Sequence, residues 1–192
     1  MNVGILALAA GRARRFGSDK RLARLPDGRY CIEAFLDQAE ASGLPVMVCL
    51  AAGDRQLADL LDARGCRYHA CERAAEGMGG TLAEGITRIP DWDGVLVALA
   101  DMPWVSAETY RAVAGQLSAN RICAPEYNDR RGHPVGFGRA LFGELAALGG
   151  DSGARDLLAR HPGYIDKVAV EDPAILKDID LPQDLAGHGV AR

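Results

Sequence analysis

Three continuous apolar runs of strand length, Val3 to Ala9, Val46 to Ala51 and Gly94 to Ala100, constrain this chain more than any other feature. A strand with one wet face alternates apolar and polar residues. A run that is apolar at nearly every position needs both faces covered, as in a parallel sheet layered between helices. Helical patterns separate the runs. From Tyr30 to Ser42, Ile32, Phe35, Leu36 and Ala39 share one stripe, and Gly43 supplies a C-terminal stop ahead of Pro45. Asp54 reads as the cap of a second helix in which Leu57, Leu60 and Leu61 recur at helical spacing. A short strand over Cys66 to Cys71 and a helix from Thr81 to Ile89 continue the alternation. The pattern predicts an α/β chain with helices on both faces of a mostly parallel sheet.

The order changes after a further helix over Glu108 to Leu117. Arg121 to Pro125 and Pro134 to Gly138 flank the polar stretch Tyr127 to Gly132, which predicts a turn between extended segments and an antiparallel excursion. Helices are expected over Arg139 to Leu148 and Ser152 to Arg160, divided by Gly149-Gly150-Asp151, and a last strand over Tyr164 to Val170. No repeat or linker divides the chain, so residues 1–192 are read as a single domain, long enough to bury about 70% of its unfolded surface.

A formal net charge of −4 provides no global attraction to nucleic acid or acidic membranes. Trp92 and Trp104 lack the aromatic company of a single-strand stacking platform. No apolar run approaches the roughly 18 residues of a membrane span, and the apolar start lacks a positive leader. Five cysteines, odd in number and mostly set in apolar segments, suit reduced thiols in the cytoplasm. Cys66, His69 and Cys71 crowd one short stretch without an obvious fourth ligand or finger spacing, which speaks against structural zinc.

Against this background the basic cluster after the first run is a local feature. Ala9-Ala10-Gly11 removes side-chain bulk where a ligand meets the end of a central strand, and Arg12, Arg14, Arg15 and Lys20 follow. Tight loops of small residues form anion-attracting concavities, and several discrete cations suit a polyphosphate better than a lone carboxylate. A solvated surface loop is the alternative reading. The Walker and dinucleotide glycine spacings are both missing. Asp101 closes the third apolar run, where a carboxylate serves either as a turn residue or as a metal ligand, and Pro103 fixes the exit.

LAAGRARRFGSDK, beginning at Leu8, resembles the LAAGxSxRFGxxK signature of the nucleotidyltransferases that include molybdenum-cofactor cytidylyltransferases and guanylyltransferases. Gly77 to Leu82 is similar to that family's GMGxSL segment, Asp101-Met102-Pro103 to DMP, and Gly132 to Val135 to GHPV. Gly150 to Arg155 and Asp178 to Leu185 resemble GDxGAR and DIDTPEDL, so the matches run in order along the whole chain. Ala13, Gly80 and Leu181 depart from the pattern by lacking hydroxyls common there.

The resemblance implies a three-layer, Rossmann-like nucleotidyltransferase fold. It implies catalytic roles for Arg15, Lys20 and Asp101, and nucleotide contacts from Leu8, Ala9, Ala10, Gly11, Arg12, Gly79, Gly80 and Thr81. Mg²⁺ would sit on Asp101 and Asp180; Asp178 shares a face with Asp180 in an extended segment and stays a candidate. His133, Asp151 and Arg155 would face the acceptor, or else serve locally as a turn histidine and helix-start residues. The Ala-Ala-Gly form of the first loop resembles the cytidine-using branch. The implied reaction moves CMP from CTP to the terminal phosphate of a molybdenum-pterin cofactor, with a molybdoenzyme downstream. GTP, another phosphorylated acceptor, or a carrier without turnover are the alternatives.

Overall fold

In the computed structural model, which describes residues 1–11, 16 and 19–186, the apolar runs become strands. They are β1 (Val3–Leu8), β2 (Val46–Ala51) and, after the shorter β3 (Arg67–Cys71), β4 (Gly94–Leu99). These four strands are parallel, with β2 pairing β1 and β3, and β1 pairing β4. The connecting helices are α1 (Cys31–Ala41), α2 (Arg55–Arg64) and α3 (Met78–Ile86), and α4 (Ala107–Gln116) follows β4.

Alternation along β1 explains why the run is apolar throughout. Val3, Ile5 and Ala7 enter one core cluster with residues of α1, α2 and α4, while Leu6 enters a second with Leu82, Ala83 and Ile86 of α3. Phe35 and Tyr110 meet edge to face at 6.4 Å and join α1 to α4. The α2 ends follow local chemistry: the Asp54 side chain accepts from the Leu57 amide, and Gly65 ends the helix at φ 70°. Among the described residues no helix is long and apolar enough to cross a membrane.

The antiparallel part comprises β5 (Ile122–Tyr127), β6 (Arg130–Arg131) and β7 (Val135–Gly138), and β8 (Ile165–Ala169) lies parallel to β5. The strand order is β3-β2-β1-β4-β7-β5-β6, with β8 also on β5. The expected turn over Tyr127 to Gly132 is tighter than its composition suggests. Asn128 and Asp129 alone make it, at φ 48° and 59°, a conformation their short polar side chains tolerate. The segment after Gly132 then inserts between β4 and β5, antiparallel to both.

Two helices are shorter than expected. A 3-10 turn over Arg139–Leu141 precedes α5 (Phe142–Ala146), and α6 (Arg155–Arg160) starts three residues after Ser152. The positive φ of Gly150 and Gly153 keeps the intervening chain out of helix. Conversely, α3 starts at Met78, earlier than Thr81, and ends at Ile86.

Past β8 the chain is pinned back across the sheet's end. Asp172 accepts from the Ser106 amide at 2.9 Å and the Thr109 hydroxyl at 2.7 Å, and so ties this return segment to the start of α4. The Ile175 carbonyl accepts from the His133 amide at 3.0 Å. A Cβ on Gly132 would stand 2.1 Å from that carbonyl oxygen, so the close crossing requires glycine there.

The packing of β1 makes one prediction. A Cβ on Gly4 would lie 2.3 Å from the buried Trp92 indole. Gly4→Ala is expected to cost about 1–3 kcal/mol by overpacking, read as a lowered denaturation midpoint; an unchanged midpoint would refute the contact.

Candidate active site

Leu8 pairs in register with Leu99, so β1 and β4 end side by side and their loops open into one cleft of about 500 Å³. Ala9, Ala10 and Gly11 form its floor, beside Ala100 and Asp101. The backbone is fixed to the sheet: the Ala9 amide donates to the Cys49 carbonyl at 2.8 Å and the Ala100 amide to the Leu8 carbonyl at 3.2 Å. With side chains no larger than methyl along Ala9 to Gly11, a ligand can approach main chain directly.

The facing wall is the start of α3. Gly77 sits at φ 104°, and a Cβ there would meet Asp151 Oδ1 at 2.1 Å and the Gly150 carbonyl at 2.7 Å. The Gly79 amide donates to the Gly150 carbonyl at 2.8 Å. These glycines let the 149–151 loop lie on the helix start, which places Asp151 on the rim of the cleft beside Met78 and Thr81.

Charge concentrates at one end. Lys20 Nζ lies 2.6 Å from Asp101 Oδ2 and 3.0 Å from Asp180 Oδ1. The Ile179 amide donates to the Asp101 carbonyl at 2.9 Å, and Ile179 itself is fully buried beside Leu25 and Cys31. Its neighbours Asp178 and Asp180 are thereby both held on the cleft, and Asp184 accepts from the Asp180 and Leu181 amides to fix the turn. Ligand oxygens of Asp101, Asp178 and Asp180 fall within 4.8 Å of one another.

Burial is the largest influence on Asp101 and lifts its carboxyl above the ordinary value, with Asp178 adding to the rise against the pull of Lys20. Burial also works against the Lys20 ammonium, but Asp101 and then Asp180 outweigh it and hold the amine above its usual range. One monovalent cation therefore leaves the buried carboxylate under-compensated. Asp101 Oδ1 is buried without a hydrogen-bond partner among the described residues. An orphaned hard oxygen beside two further carboxylates fits an oxygen-preferring divalent cation such as Mg²⁺ or Mn²⁺.

Of the residues expected from sequence, Leu8, Ala9, Ala10, Gly11, Lys20, Thr81, Asp101, Asp151 and Asp180 line the cleft together, with Asp178. Gly79 and Gly80 stand behind the wall; a Cβ on Gly80 would lie 2.4 Å from the Arg73 carbonyl, so the hydroxyl side chain common at this position has no room. His133 sits near Asp101 and Asp178, and burial draws its imidazole below the ordinary value while both carboxylates oppose that. Arg155 is exposed at the start of α6 and does not reach the cleft wall. Arg12 and Arg15 lie outside the described residues.

Sequence reasoning passed over Arg21. Its guanidinium lines the cleft yet is committed to Asp19 and to Asp54 at 2.6 Å, with a further bond to the Ala9 carbonyl. It braces the cleft floor against the start of α2, and its one sequence signal is its position directly after Lys20. Cys66, His69 and Cys71 do not converge: Cys66 faces Glu40, while Glu84 joins His69 and Cys71. Both Glu84 oxygens are engaged, by His69 at 2.7 Å and the Arg73 amide at 2.8 Å, so this cluster ties β3 to α3.

Solved structures share this fold. The chain is 30% identical to Rv0371c from Mycobacterium tuberculosis H37Rv, with a TM-score of 0.80 over 96% of each chain. A manganese complex of Rv0371c from the same organism superposes at a TM-score of 0.81, 27% identical over 97% of each. Nicotine blue oxidoreductase of Paenarthrobacter nicotinovorans is 26% identical over 191 residues, 95% of this chain and 93% of that one. The family model described as the MobA-like NTP transferase domain matches residues 5–165. With that model matched over most of its length, the chain belongs to the MobA-like NTP transferase family.

Proposed function

We propose that this chain is a cytoplasmic cytidylyltransferase, a single domain over residues 1–192, that moves CMP from CTP to the terminal phosphate of a molybdenum-pterin cofactor. The product would pass to a molybdoenzyme. The observation that carries the reading is the juxtaposition of Lys20, Asp101 and Asp180 at one end of a cleft floored by Ala9, Ala10 and Gly11. Cytidine preference and the pterin acceptor rest on the resemblance of the loop and motif segments.

In the reaction an acceptor phosphate oxygen attacks the α-phosphorus. A new O–P bond forms in line, the α–β bridging bond breaks, and its electron pair leaves with pyrophosphate. Asp101 and Asp180, with Asp178 adjacent, would hold the divalent cation; the manganese complex of Rv0371c supports such a site. Bound there, the cation would offset negative charge on the phosphate oxygens. Lys20, joined by Arg15, would bind the departing phosphates. The Ala9–Gly11 backbone and Thr81 would seat the nucleoside, and His133, Asp151 and Arg155 would serve the acceptor side. Because a phosphate monoester is already largely ionised at neutral pH, no side chain is required to remove a proton from the nucleophile.

The likeness to nicotine blue oxidoreductase supports a second reading, in which the cleft serves a redox reaction. A change in nicotinamide absorbance with candidate electron acceptors, without pyrophosphate release, would establish that reading in place of transfer.

Two outcomes test the proposal. Asp101→Asn is expected to lower pyrophosphate release at least about 100-fold, the scale of losing a principal charge-stabilising group; full turnover in a folded variant would contradict it. In a competition between CTP and GTP with purified molybdopterin, read by product mass, the cytidine product is expected to dominate. Equal amounts of the two products would remove the base assignment.

A further inference from the structure

We propose that Lys20 is a built-in placeholder cation: its ammonium occupies the carboxylate cluster until a divalent ion displaces it toward the triphosphate. The inference deepens the proposed function and rests on its metal reading. Nζ reaches Asp101 at 2.6 Å and Asp180 at 3.0 Å, bridging two of the three carboxylates that can share a cation. A divalent ion drawn onto these carboxylates would sit close to the Lys20 ammonium, and repulsion between the two positive centres would drive the ammonium off the cluster.

Lys20 opens a single 3-10 turn anchored by Asp19, whose side chain accepts from the Arg21 amide, and its side chain lines the cleft. An ammonium released from the carboxylates therefore stays beside the space a triphosphate would fill. Without Lys20, three mutually repelling carboxylates would lack a counter-ion. With it, the carboxylates are held together at the expense of metal affinity. Cation entry and triphosphate capture then favour each other, since each removes a competitor of the other.

The test is Mn²⁺ titration of the nucleotide-free protein by calorimetry, comparing wild type with Lys20→Met and Lys20→Gln, each checked for native circular dichroism. Removing the competing charge is expected to tighten Mn²⁺ binding about tenfold or more, while Asp101→Asn abolishes it. Equal or weaker Mn²⁺ affinity in the Lys20 variants would overturn the placeholder role yet leave the metal site standing. Absence of binding to wild type would overturn both. A second measurement needs no variant. Mass-resolved acylation of Lys20 in the wild-type chain is expected to rise on adding Mn²⁺, and an unchanged or lower yield would likewise overturn the inference.

Discussion

Parallel pairing of β1 with β4 sets where the chemistry of this chain can lie. Because the two strands run the same way and pair from Val3 with Gly94 to Leu8 with Leu99, their C-terminal ends lie together. Everything chemically notable then follows from what each strand does on leaving the sheet. After β1 the side chains shrink to Ala9, Ala10 and Gly11, and after β4 the first polar side chain is Asp101. A small-residue floor and a largely buried carboxylate become neighbours although about ninety residues separate them in sequence.

The second requirement is delivery of the distant carboxylates. A run of polar bonds does this: Asp172 on the start of α4, the His133 amide on the Ile175 carbonyl, and the Ile179 amide on the Asp101 carbonyl. Ile179 points inward and Asp178 and Asp180 are left on the cleft, so an apolar anchor sets the position of charged groups. Concentrating carboxylates around a buried oxygen without a partner is unfavourable in isolation. That cost is the ground on which a divalent counter-ion is proposed there.

Much of this was legible in the sequence because its signals are local. Continuous apolar runs identified the parallel strands, Asp54 announced a helix start, and Gly149-Gly150 a break between two helices. The cleft wall was legible through Leu8 to Gly11, Lys20, Thr81 and Asp101, and through Asp180 with Asp178 beside it. What escaped depends on three-dimensional neighbours. The insertion of β7 between β4 and β5 leaves no periodic trace, since Val135–Gly138 is as apolar as any buried strand. The bracing role of Arg21 depends on Asp54, which only the fold brings to it. Gly79 and Gly80 looked like ligand-facing glycines, but the carbonyls of Gly149 and Arg73 account for their lack of side chains.

The proposed chemistry requires the β1 loop and the acidic lip of β4 to serve one nucleotide and one cation together. Anomalous scattering from crystals grown with Mn²⁺ and a non-hydrolysable CTP analogue distinguishes this arrangement from any other. The expected result is a manganese peak coordinated by Asp101 and Asp180, with triphosphate oxygens completing its shell and Lys20 turned onto the phosphates. A nucleotide bound elsewhere, or manganese away from these carboxylates while the cleft is filled, would contradict it.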